Sequence, residues 1–109
     1  MSRPNSIVIS SVEIPVTYKA DLTHTADDGH EHGAWGIFRD FDITIAEGQP
    51  GERERITLLH EILHAVMEIS GLSARLDENE EQVVDDMTIP MLSFLRENPE
   101  TVRYLWGGE

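Results

Sequence analysis

Thr57-Leu58-Leu59-His60-Glu61-Ile62-Leu63-His64-Ala65-Val66-Met67-Glu68 decides how this chain is read. The segment is mostly apolar, and its polar positions are periodic. On a helix turning about 100° per residue, Thr57, His60, Glu61, His64 and Glu68 fall within roughly the same 100° arc. Ile56, Leu58, Leu59, Ile62, Leu63, Ala65, Val66, Met67 and Ile69 cover the remainder, which predicts a buried helix with one polar stripe. Polar groups on such a stripe need partners. His60 and His64 stand one above the other, about 40° apart, an arrangement that suits one divalent ion. Glu61, between them, is then placed to act on water at the metal. The competing reading is a pair of core histidines that are merely hydrogen-bonded.

Working outward, the helix is expected from roughly Glu52 to Ser70, with Glu52 and Glu54 in its first turn and Gly71 as its C-terminal cap. Glu47-Gly48-Gln49-Pro50-Gly51 is the break before it. Upstream, Ile7–Ile9, Val12–Tyr18, Trp35–Arg39 and Phe41–Ile45 read as strands. Alternation puts Val12, Ile14, Val16 and Tyr18 on one face, and Phe41, Ile43 and Ile45 on another. Pro15 predicts an edge strand or a strand end, and Ser10-Ser11 a bend. Residues 19–34 read as a polar acidic loop holding His24, His30 and His32, a surface loop or a source of metal-binding histidines.

Downstream, Leu72 to Asp77 is expected to be a connection. A second helix follows from about Glu78 to Glu97, capped by Asp77, with Val83, Val84, Met87, Met91, Phe94 and Leu95 as its apolar stripe. Pro90 predicts a kink or restart near Thr88. Asn98-Pro99 opens a short third helix that Val102, Leu105 and Trp106 would pack down, and Gly107-Gly108 ends it. Together these elements predict a small α+β fold, a mixed or antiparallel sheet packed on two helices.

The length, 109 residues, suits one domain spanning 1–109. Cysteine is absent, so any metal ligands are histidines and carboxylates. With 21 acidic and 8 basic residues the net charge is −13, which disfavours nucleic acid and anionic membrane surfaces as partners. No signal sequence or membrane-length apolar run is visible, so a cytoplasmic protein is the expectation.

Two histidines do not complete a zinc site. Glu80 and Glu81 on the second helix are the candidates for a third ligand, one nearer the middle of the apolar stripe and one nearer its margin. At this point the residues resemble a family. His60-Glu61-x-x-His64 on one helix with a glutamate on the next is similar to the gluzincin branch of zinc metallopeptidases. It is most similar to the minimal zincin-like domains of phages and actinobacteria related to the IrrE/ImmA-like metallopeptidases. The resemblance covers about Phe41 to Leu95. Counted from Glu81, the spacing of Val84, Met87, Met91 and Leu92 matches that family; Asn79-Glu80 matches the Asn-Glu pair of thermolysin-like members; Asp85 follows Glu81 by four, as an orienting Asp does there.

The resemblance implies a zincin-like fold in which His60, His64 and Glu81 hold Zn²⁺ and Glu61 is the general base in hydrolysis of a peptide or protein substrate. It also implies that a strand near the helix, Phe41 to Ile45, offers its edge to an extended peptide. Zincins add an oxyanion-stabilising His, Tyr or Arg; His24, His30, His32, Arg103 and Tyr104 are the residues on hand, and Asp85, Asp86 and Glu68 are candidates to orient the histidines. Two other functions are compatible with the chain: a non-catalytic zinc-binding interaction module, and a metal-free acidic protein that binds a basic partner.

Overall fold

The computed structural model describes residues 2–20, 22–25, 31–33 and 35–107. The chain is α+β. Strands β1 (Ser6–Ile9), β2 (Val12–Lys19), β5 (Gly36–Arg39) and β6 (Asp42–Ala46) form a mixed sheet in the order β1-β2-β6-β5. Strands β3 (Thr23–Thr25) and β4 (Glu31–Gly33) form a separate antiparallel pair. Helices α1 (Gly51–Ser70), α2 (Leu72–Leu76), α3 (Glu80–Glu97) and α4 (Pro99–Leu105) follow, with a 3₁₀ turn at Asp77–Asn79.

Local chemistry explains the sheet. Ser10 and Ser11 both take positive φ, as do Asp40 and Phe41, so each pair makes the tight left-handed turn that joins two antiparallel strands. Phe41 therefore belongs to a turn and is 42% exposed, contrary to its expected place on the buried face; its ring meets Phe38 edge-on at 6.0 Å. Ile43 and Ile45 are fully buried as their alternation requires.

Strand β2 is interior to the sheet, not an edge. Its first half, through Pro15, pairs with β1, and its second half, from Val16, pairs in parallel with β6. Pro15 sits where one ladder ends and the other begins, so the expectation of a strand end holds locally, and its missing N–H removes no rung from the β6 ladder. The stretch expected to be a polar loop contains β3 and β4, with His24 opposite His32 in register; His30 lies outside the described residues.

Helix α1 sits between two apolar clusters. Ala65, with Leu58, Ile62 and Ile69, faces Ile14, Val16, Ile43 and Ile45 of the sheet. Leu63 and Met67, with Leu59, face Val84, Val83 and Met87 of α3. Gly71 ends α1 at φ 83°, the left-handed conformation that glycine adopts without strain.

Several expectations downstream are corrected. The connection after α1 is helical (α2 and the 3₁₀ turn), and Asn79, not Asp77, precedes α3. Helix α3 continues through Pro90 without a restart. Pro90 and Asp86 are on the exposed face, where water can satisfy the carbonyl that the proline leaves without a donor. Asn98 donates its side-chain amide to the Phe94 carbonyl at 3.0 Å, closing α3, and Pro99 starts α4. Leu105 and Trp106 do not pack α4 down; they are 67% and 71% exposed. The Arg96–Glu52 ion pair, at 2.7 Å, shows why: the end of α3 is already level with the start of α1, so α4 extends beyond the α1 surface. Phe94 and Leu95 are partly exposed for the same reason. Among the described residues, no helix is long and apolar enough to cross a membrane.

Candidate metal centre

The polar stripe of α1 opens into a groove of about 1420 Å³, walled on one side by β5 and on the other by the first turns of α3. Thr57, His60, Glu61, His64 and Glu68 all line it, as the helical spacing predicts, and so do Glu80, Glu81 and Asp85. Helices α1 and α3 lie side by side, with the α2 reversal placing the acidic start of α3 against the middle turns of α1.

Each imidazole has a carboxylate on both of its nitrogens. His60 Nδ1 is 3.0 Å from Glu61 Oε2, and His60 Nε2 is 2.8 Å from Glu81 Oε1 and 2.9 Å from Asp85 Oδ1. His64 Nδ1 is 2.5 Å from Glu80 Oε2, and His64 Nε2 is 3.0 Å from Glu81 Oε2. The two rings pack edge to face with centroids 4.9 Å apart. Glu81 thus reaches both Nε2 atoms, one with each oxygen, whereas Glu80 reaches only the outer nitrogen of His64. Two sets of three ligand atoms lie within 4.8 Å of one another: His60, Glu61 and His64, and His60, Glu81 and Asp85.

Four carboxylates around two imidazoles are an excess of negative charge that two protons can only half neutralise. In the metal-free protein His60 carries that load: its pKa is raised from 6.5 to about 9, chiefly by the hydrogen bond to Glu61 and against the effect of burial, with Asp85 and Glu81 adding to it. The donor chemistry also suits a metal. His60, Glu81 and Asp85 offer three donor atoms within 4.8 Å of one another, and His64 Nε2 lies 3.0 Å from the second oxygen of Glu81, a nitrogen and oxygen donor set of the kind zinc takes.

A second network holds the groove wall, and Gln49, at its centre, escapes a reading of the sequence. Gln49, buried, donates its amide to the carbonyls of Ala46 at 2.9 Å and Trp35 at 3.1 Å, and accepts the hydroxyl hydrogen of buried Thr57 at 3.0 Å. This ties the start of β5 to α1 one turn before Glu61. Gly36 completes the contact: a Cβ there would lie 2.7 Å from Thr57 Cγ2 and 3.1 Å from Glu61 Cγ and Oε2. A glycine inside a strand pattern signals close approach of another chain segment; Gln49 gives no such signal, because it stands in what reads as a plain turn. Glu61 is consequently only 5% exposed.

Other expected residues are elsewhere. Strand β6 is paired on both sides, so the edge beside the groove belongs to β5, one strand over from the expected Phe41 to Ile45. Arg103 and Tyr104 lie on α4 and do not line the groove. Asp86 bonds Gln82 on the outer face of α3 at 3.0 Å and reaches neither histidine. Compared with known proteins, the chain matches no family model, no curated protein and no solved structure.

Proposed function

We propose that this chain is a zincin-like, zinc-dependent metallopeptidase that hydrolyses a peptide bond in an extended peptide or protein segment. One observation carries the reading: a nearly buried glutamate lies between two histidines of one helix, in a groove that also holds a carboxylate from the next helix and a sheet edge with no partner strand among the described residues.

His60 and His64 through Nε2, and Glu81 through its carboxylate, would hold the ion. When bound, Zn²⁺ polarises a carbonyl and lowers the pKa of a water towards neutrality. Glu80, on His64 Nδ1, fixes the orientation of that ring, as partners beyond the ligands do in metal sites. Glu61 is anchored through Oε2 on His60 Nδ1, and would take a proton from the attacking water at Oε1 and return it to the leaving nitrogen. The outer edge of β5 would bind the substrate backbone as an added strand, holding the scissile bond over Glu61. Gly36 and the Thr57–Gln49 bond set the depth of that wall.

The alternative, a non-catalytic zinc-binding interaction module, is favoured by the number of carboxylates already facing His60. Glu61→Gln separates the two. For a peptidase, zinc content and fold are retained while hydrolysis of a denatured protein or peptide library falls by about 10²–10⁴-fold, the usual contribution of a general base. A zinc-loaded wild-type protein that cleaves no peptide leaves the module as the better description.

A further inference from the structure

We propose that Asp85 is a fourth protein ligand to the ion, so that the centre is built from two pairs of residues four apart on facing helices: His60 and His64 from α1, Glu81 and Asp85 from α3. The inference rests on the groove being a metal site. Residues four apart on a helix share a face, about 6 Å apart along the axis. Two helices side by side therefore present two donors each to a common space.

The assignment follows from which nitrogen each carboxylate touches. On the outer side, His60 Nδ1 is taken by Glu61 and His64 Nδ1 by Glu80. Asp85 cannot orient an imidazole from outside, because both outer positions have partners. It lies instead on the inner nitrogen, His60 Nε2, at 2.9 Å, beside Glu81 at 2.8 Å. A ring N–H carries one hydrogen and cannot serve two carboxylates well. One of the two is short of a donor, and a divalent ion in contact with both removes the deficit. Two imidazole nitrogens and two carboxylate oxygens make a complete four-ligand set for zinc.

The consequence is functional. A centre with four protein ligands has no open position. Asp85 touches one imidazole where Glu81 touches both, and its side chain is half exposed, so its withdrawal into water breaks the fewest contacts of the centre. It acts as a displaceable ligand: in place, it closes the centre; withdrawn, it frees a position for water.

The test uses the full chain, stripped of metal and titrated with Zn²⁺ against a chromophoric chelator, with Co²⁺ absorption as a readout of coordination. Asp85→Ala is expected to weaken Zn²⁺ binding about tenfold or more and to change the Co²⁺ spectrum. Asp86→Ala, its neighbour on the outer face, is expected to change neither. Asp85→Asn gives the same readouts with less change in shape if the alanine variant does not fold. A wild-type protein that binds Zn²⁺, with Asp85 variants equal to it in affinity and spectrum, overturns the fourth ligand alone. A wild-type protein that binds no Zn²⁺ overturns the metal reading and this inference together.

Discussion

The side of α1 turned to the sheet and the side turned to the groove satisfy the same helix in opposite ways. Towards the sheet, Ala65 and its neighbours Leu58, Ile62 and Ile69 meet Ile14, Val16, Ile43 and Ile45, and burial of apolar surface alone holds the contact. Towards the groove, His60, Glu61 and His64 meet Glu80, Glu81 and Asp85, a charged contact in need of a counter-ion beside the apolar seam of Leu63, Met67 and Val84. The first side is complete as folded. The second has more acceptors than donors, an imbalance a protein meets by binding protons or a cation. The helix thus divides its labour: one face fixes position, the other supplies chemistry.

The largest effect that bears on this contrast is on the sheet side. Ile43→Ala removes a fully buried side chain at the centre of the cluster and is expected to cost about 2–5 kcal/mol of stability, measured by denaturant unfolding. Zinc affinity of the molecules that remain folded should not change. A parallel loss of zinc affinity would mean that the two sides are coupled through the helix.

A smaller effect is expected at the wall that joins them. Thr57→Val keeps the shape but leaves buried Gln49 Oε1 without its donor, a cost of about 1–3 kcal/mol. Because the bond fixes β5 against Glu61, peptide hydrolysis should fall as well, with zinc content unchanged, and Thr57→Ser should restore it. Activity that is indifferent to the hydroxyl would make Gln49 and Thr57 a structural pair only.

A further effect is the pH dependence of the metal-free protein. His60 keeps its proton to about pH 9 when folded but releases it near 6.5 when unfolded. Its contribution to stability is therefore complete below about 6.5 and is lost as pH rises to about 9. Zn²⁺ must displace that proton, so zinc affinity should rise through the same window, by at most about tenfold per pH unit for this one proton. Unfolding curves and zinc titrations across the window check both signs. Stability that stays flat between those limits would mean that His60 is already neutral there in the folded chain.

The groove side of α1 is the more legible in the sequence. Its polar positions stand out because the rest of the helix is apolar, and spacing by itself places Thr57, His60, Glu61, His64 and Glu68 in one line, as they are found. The sheet is legible in its strands but not in their order. Period-two patterns mark Ile14, Val16, Ile43 and Ile45 as buried, yet say nothing of which strand is the edge; hence β2 and β6 are interior where Pro15 and the neighbouring helix suggest otherwise. The role of Asp85 is not legible either. Helical spacing gives it the same face as Glu81, but which imidazole nitrogen it meets depends on how far α1 and α3 have slid past each other, which only the packed structure fixes. Leu105 and Trp106 have the pattern of a packed helix and no surface left to pack on.

The most direct measurement is elemental analysis of the untagged protein purified without chelators, beside its thermal unfolding with and without added Zn²⁺, for the wild type and His64→Ala. If the groove side of α1 is a metal centre, the wild type carries about one zinc per chain and gains about 2.7 kcal/mol of stability when free zinc is a hundred times its Kd, while His64→Ala does neither. A wild-type protein that holds no metal and melts at the same temperature with zinc as without it would contradict the metal centre, and with it the peptidase.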